Sequence, residues 1–173
     1  MGSVREVPRA WPLLAVFAAD PLLLRAEADR WLAAYGGPLA QFGPYPFSFS
    51  AYYDAEMGNG LQKLIVVGSK PVAAETLAAM KGASNRREAE LAAGGRRTIN
   101  LDPGLLDAKR LVLATTKDAA HRICVRDGIF AEVTLRYHHG SYQAESWTYP
   151  DFRQAELQAW LTALRPTLLA RGE

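Results

Sequence analysis

The stretch from His121 to Trp147 constrains the fold more than any other, because side chains along a strand alternate faces and its competing pairings can be compared residue by residue. If Asp127-Gly128 alone forms the first loop, Val133 falls opposite Arg122 and Glu132 opposite Ile123, which mixes charge into both faces. If Arg126-Asp127-Gly128 forms it, with Gly128 left-handed, Val125 faces Ile129, Ile123 faces Ala131 and His121 faces Val133. One face is then apolar, and Arg122 lies across from Glu132 on the other, an opposite-charge pair worth roughly 0.2–1 kcal/mol. A second loop at His139-Gly140 continues the meander, with Tyr137 across from Tyr142 and Leu135 across from Ala144. The other face collects Arg122, Glu132, Thr134, Arg136, Gln143 and Glu145, so the expected element is an antiparallel meander with one dry and one wet face.

Upstream, strand and helix signals alternate. Leu13 to Ala19 reads as a buried strand. Asp20-Pro21 supplies an N-cap and a proline at the first helical position, Leu24, Ala28, Trp31, Leu32 and Tyr35 recur at helical spacing, and Gly36-Gly37 stops the run. Gly43 to Pro46 reads as a loop, Phe47 to Tyr53 as a strand, Gly58-Asn59-Gly60 as a turn and Leu61 to Val67 as a strand. Pro71 is expected to open an alanine-rich helix from Val72 to about Leu91, followed by a strand at Thr98 to Leu101. Asp102-Pro103 repeats the cap-and-proline signal, so one helical turn over Leu105 to Lys109 is expected before a strand at Leu111 to Thr115. Asp151 is expected to cap a last helix, whose apolar stripe is Phe152, Leu157, Trp160, Leu161, Leu164 and Leu168. The order predicts an α+β single domain over residues 1–173: a ferredoxin-like N-terminal half and a C-terminal meander in an antiparallel or mixed sheet, packed by amphipathic helices. Residues 1–10 are expected to be a flexible leader.

Composition closes off several classes of function. With 173 residues, 49% of them hydrophobic, the chain can bury roughly 70% of its unfolded surface. The single Cys124 forms no internal disulfide, and with three histidines it does not furnish the usual four-ligand zinc site. No metal or cofactor is expected, and a reducing, cytoplasmic setting is the simplest reading. Trp11 to Ala19 is far too short to span a bilayer, so no membrane partner is expected. A net charge of +2 disfavours nucleic acid as a partner. Glycine-rich phosphate loops, a nucleophile elbow and a zinc-binding histidine pair on a helix are all missing from the sequence.

What chemistry remains lies in turns. Thr115-Thr116-Lys117 at a strand end suits an anion, though a plain turn is the simpler account of it. His121 reads either as a satisfied core histidine or as a general acid/base, a role for which Glu56 is the other candidate. His138 and His139 fall at a hairpin tip. Tyr52, Tyr53, Trp147 and Tyr149 provide aromatic walls for a cleft or simply a core edge. Asn100 and Asp102 flank Leu101, where turn chemistry also explains them.

Tyr-Tyr-Asp-Ala-Glu-Met-Gly at 52–58, Ile-Asn-Leu-Asp-Pro-Gly at 99–104, Leu-Val-Leu-Ala-Thr-Thr-Lys at 111–117, His-Arg-Ile at 121–123, Gly-Ile-Phe-Ala-Glu-Val-Thr-Leu at 128–135 and Trp-Thr-Tyr-Pro-Asp-Phe at 147–152 run through nearly the whole chain. In that order they resemble a bacterial family, domain of unknown function DUF4416. The resemblance implies a single-domain bacterial cytoplasmic protein and carries no activity, cofactor or site residue with it. The functional expectation is therefore a small-molecule or nucleotide-like, anionic ligand-binding protein with enzymatic potential. Lys117 and Arg122 would hold the anion, with Asn100, Asp102, Thr115, Thr116 and the aromatics around it. The alternative is a non-catalytic interaction module for a protein or RNA partner.

Overall fold

A computed structural model describes residues 2–3, 6–49 and 53–171, without the side chains of Asp54 and Ala55. Its central strand, β1 (Arg9–Ala18), is buried from Ala10 onward, as its unbroken apolar run requires. Pro12 falls where its neighbour changes from β4 (Val72–Ala73) to β3 (Gln62–Gly68), a place where a missing N–H is tolerated. Helix α1 (Pro21–Ala34) starts as its sequence signal predicts: the Asp20 carboxylate accepts the Leu22 N–H at 2.8 Å, and Pro21 follows.

The remaining elements are β2 (Pro38–Pro46), a single-turn α2 (Asp54–Met57), α3 (Leu77–Leu91), β5 (Ile99–Leu106), β6 (Arg110–Thr115), β7 (Ile123–Arg126), β8 (Ile129–His138), β9 (Ser141–Ala144) and α4 (Ala155–Ala170). Among the described residues nine strands form one antiparallel sheet of order β2-β3-β1-β5-β6-β8-β7, with β4 beside β1 and β9 beside β8. The units β1-α1-β2 and β3-α3-β5 interleave, so each parallel pair holds a strand of the other unit between its members. That is the ferredoxin-like half, and β6 to β9 are the meander. Helices α1 and α3 cover one face through Leu24, Trp31, Leu77 and Met80 against Leu14, Val16, Leu64 and Leu101. Helix α4 covers the other through Leu157, Leu161 and Leu168 against Leu13, Ile65, Leu111 and Leu135.

The structure corrects several local expectations. Of the strand expected at Phe47–Tyr53, residues 50–52 lie outside the described residues and Phe47, Ser48, Phe49 and Tyr53 are not in a strand; the strand in this region is β2, running through the proposed Gly43–Pro46 loop. As an edge strand, β2 accommodates prolines and two register shifts against β3, and Gly43 takes φ 98° at one of them. Pro71 opens no helix: Val72–Ala73 pairs with Arg9–Ala10, a 3-10 turn follows, and α3 begins at Leu77. Asp102-Pro103 caps nothing but lies within β5, and Leu105 continues that strand instead of starting a helical turn. Asp151 sits in a 3-10 turn (Pro150–Arg153), leaving Gln154 at the α4 N-cap. Residues 9 and 10, inside the expected leader, belong to β1.

In the meander, Ile123↔Ala131 holds, but the loop is the two-residue Asp127-Gly128 turn, with φ 52° and 72°, and a bulge at Val125 absorbs the extra residue. A second bulge lies at Thr134, since Leu111 pairs with Leu135 but Val112 with Val133. It reverses the alternation of faces. Ile129 therefore packs under α1 and α3, whereas Leu135 packs under α4. Glu132 and Thr134, expected on a wet face, are buried, while Ile123 and Val125 are exposed.

Candidate functional site

The site originates in a gap in the sheet. Strands β5 and β6 pair only over Gly104–Leu106 and Leu111–Leu113, so Ile99–Pro103 has no strand on that side. Gly104 marks where they meet: a Cβ there would lie 2.6 Å from the Val112 carbonyl oxygen. Beyond it, α3 side chains satisfy the open edge. The Glu88 carboxylate accepts the Leu101 N–H at 2.6 Å, and the Lys81 ammonium donates to the Leu101 carbonyl at 3.1 Å and to Asp102 at 2.9 Å. Pro103, two residues on, points the same way and carries no N–H, which is why pairing goes no further.

The gap opens into a cleft of about 450 Å³ on the α4 side of the sheet. Its sheet-borne lining is Phe17, Lys63, Asn100, Asp102, Leu113, Thr115 and Glu132. Helix α3 adds Lys81, Asn85 and Glu88, the segment after β2 adds Phe47 and Phe49, and the segment before α4 adds Tyr149 to Phe152. Aromatic rings make one wall: Phe17 stacks on Phe47 at 4.6 Å, and Tyr53 meets Phe17 edge-on at 4.8 Å. Lys63 is buried, paired with the equally buried Asp151, and lies 4.8 Å from the Phe152 ring centroid and 5.2 Å from that of Phe47.

Polar groups form a connected chain along the open strand. Asn100 donates to Asp102 at 2.6 Å and accepts from Arg97 at 3.1 Å, while Arg97 forks onto Glu56 at 2.6 and 2.9 Å. Burial works against the Asp102 charge, but Lys81 and the Asn100 bond outweigh it and hold the carboxyl below its ordinary range. Glu88 goes the other way: burial pushes its carboxyl up, only partly offset by Lys81 and the Leu101 N–H. Two carboxyls on one cleft with opposite shifts are the arrangement from which acid/base chemistry is built.

A family model described as a domain of unknown function, DUF4416, matches residues 10–167. The chain belongs to this family. No curated protein and no solved structure matches it.

Of the sequence-selected residues in this DUF4416 chain, Tyr53, Asn100, Asp102, Thr115, Thr116, Lys117 and Tyr149 line the cleft together. Tyr52 lies outside the described residues. Glu56 lies outside the lining, locked to Arg97, whose hydrogen bonds hold its carboxyl below the ordinary value against the opposing effect of burial. Arg122 stands behind the mouth: it bonds Glu132 at 2.8 Å, the Lys117 carbonyl at 3.0 Å and the Tyr149 hydroxyl at 3.0 Å. It thereby fixes the Thr115–Lys117 turn relative to Tyr149. His121 stacks on Trp147 at 5.4 Å, and its Nε2 lies 3.3 Å from Glu132 without hydrogen-bond geometry. Trp147 donates to the Val133 carbonyl at 2.9 Å. Neither lines the cleft.

Sequence reasoning missed Lys63, Lys81, Asn85, Glu88, Glu132 and Asp151 as lining residues. Lys63 alone had a legible signal, as a lone charge inside the run Leu61–Val67. The α3 residues recur at i, i+4 and i+7, but so does any polar helix face.

Proposed function

We propose that this protein binds a small, nucleotide-like anionic ligand in the cleft between β5 and β6, with its anionic group at the Thr115–Lys117 turn. The observation that carries the reading is the cleft itself, a concavity of about 450 Å³ that joins an aromatic wall to buried charged pairs. That combination of shape, apolar rings and a few fixed polar groups suits small-molecule sites. Buried pairs such as Lys63–Asp151 contribute little to stability for the desolvation they require, which favours a role in recognition. Lys117 and Thr116 are exposed at the mouth, and Thr115 Oγ1 accepts the Lys117 N–H at 3.2 Å, so the turn is ordered before any ligand arrives. Arg122 acts by holding this turn, since its guanidinium is already engaged.

For acid/base chemistry the cleft offers Glu88 and Asp102, which line it, and not Glu56, which lies outside the lining and is paired with Arg97. The test is thermal denaturation with inorganic phosphate, nucleotides and sugar phosphates, because a ligand of the native state raises the melting temperature by mass action. The expected result is a rise with at least one phosphorylated compound that disappears in Lys117→Ala, whose unliganded melting temperature stays that of the wild type. A wild-type protein indifferent to every phosphorylated probe would remove this reading.

A further inference from the structure

We infer that the cleft takes a nucleoside monophosphate, with Asn85 reading the edge of the base and the Thr115–Lys117 turn holding the phosphate. This rests on the binding reading above and narrows it. Along α3, Lys81, Asn85 and Glu88 recur at i, i+4 and i+7 and turn the same face to the cleft. The outer two are engaged with Leu101 and Asp102. The side-chain amide of Asn85, half-buried between them, has no hydrogen-bond partner among the described residues. Its amide offers a donor and an acceptor side by side, the pattern that matches adjacent acceptor and donor groups on the edge of a base.

The rings agree with this. Phe49 and Tyr149 line the same cleft while remaining 37% and 45% exposed, so apolar ring faces are available to a planar partner. A sugar phosphate would leave both the rings and the amide uncovered. The charges limit the phosphate count. Lys63 is paired with Asp151, Lys81 with Asp102, Arg97 with Glu56 and Arg122 with Glu132. Among the described residues a second or third phosphate would meet only interior cations already bound to a carboxylate, so it adds nothing to affinity.

Isothermal titration calorimetry of the full chain with AMP, GMP, CMP, UMP, ATP and ribose 5-phosphate tests the assignment. At least one nucleoside monophosphate should bind, with ribose 5-phosphate about 10-fold or more weaker and ATP no tighter than AMP. Asn85→Ala should weaken the preferred nucleotide by about 10-fold or more, the scale of one lost bidentate base contact. It should leave ribose 5-phosphate unaffected and the melting temperature unreduced, since alanine is the better helix former. Ribose 5-phosphate binding as tightly as the nucleotides, or an Asn85→Ala variant with unchanged affinity, would overturn the base-reading role and leave the anion site standing. Absence of binding by every probe would overturn both.

Discussion

Individual carboxyls in this chain respond to acid in opposite directions, and the difference is traceable to what each one touches. Glu27 on α1 is buried and accepts bonds from Arg87 on α3 at 2.5 and 2.9 Å and from Arg30 at 2.7 Å. The Arg87 bonds, opposed by burial, hold its carboxyl below the ordinary 4.5. Its contribution to stability is full above that value and fades as pH falls through the depressed one. For Glu88 burial dominates and the carboxyl is raised, so its contribution is full below 4.5 and is lost as pH climbs through the raised value. Urea midpoints across the acid range check both. Glu27→Gln should be weakest relative to wild type at neutral pH, the deficit closing on acidification. Glu88→Gln keeps an acceptor for the Leu101 N–H and should gain on wild type as pH rises. Parallel behaviour of the two variants would refute the contrast. The Lys63–Asp151 pair follows a third rule. Lys63→Met strands a buried carboxylate and should cost about 3–5 kcal/mol, whereas adding Asp151→Leu should recover much of it, read as a positive coupling in a double-mutant cycle.

At the scale of elements, the same dipeptide signal gives two outcomes. Asp20-Pro21 caps α1 because nothing competes for that backbone, whereas Asp102-Pro103 is held extended by β1 on one side and by Lys81 and Glu88 on the other. Local chemistry was therefore legible for α1, for the hydrophobic strands and for the stripe of α4, but tertiary pairing decided β5. Bulges were not legible: an extra residue at Val125 or Thr134 has no sequence mark, yet the second one moves Glu132 from an expected wet face into the cleft. That is why the sequence pointed to the Thr115–Lys117 turn and to Asn100 and Asp102 but not to their buried partners. Gly104 offers a direct check on how the cleft is set. Gly104→Ala would drive its methyl against the Val112 carbonyl and Leu113 Cδ2, at 2.6 and 2.7 Å, and should destabilise by about 1–3 kcal/mol in urea. An unchanged midpoint would mean that β5 and β6 separate freely, and the cleft would then be a mobile seam, not a fixed one.

On its face of the sheet α4 joins the two halves of the molecule, as α3 does on the other face through Ala114 and Ile129. Trp160 meets Phe42 of β2 at a ring distance of 5.6 Å, Thr162 accepts the Tyr142 N–H of β9 at 3.1 Å, and Arg165 donates to the Ala108 carbonyl at 2.9 Å. One helix thus contacts the outermost strand of the ferredoxin-like half, the meander and the turn between β5 and β6. No helix among the described residues is long and apolar enough to cross a membrane, and the apolar side of α4 is accounted for by the core it covers, from Leu13 and Ile65 to Leu111 and Leu135. A meander attached only through the three-residue β5–β6 ladder would unfold by itself. With α4 packed across both halves, the chain should unfold in a single transition. Leu161, fully buried on the sheet-facing side of α4, provides the probe: Leu161→Ala should cost about 2–5 kcal/mol while far-UV circular dichroism and tryptophan fluorescence still report coincident midpoints. Separated midpoints in the wild type would show that the halves fold independently. Separation in the variant alone would show that α4 is the coupling element and that one leucine sets its strength.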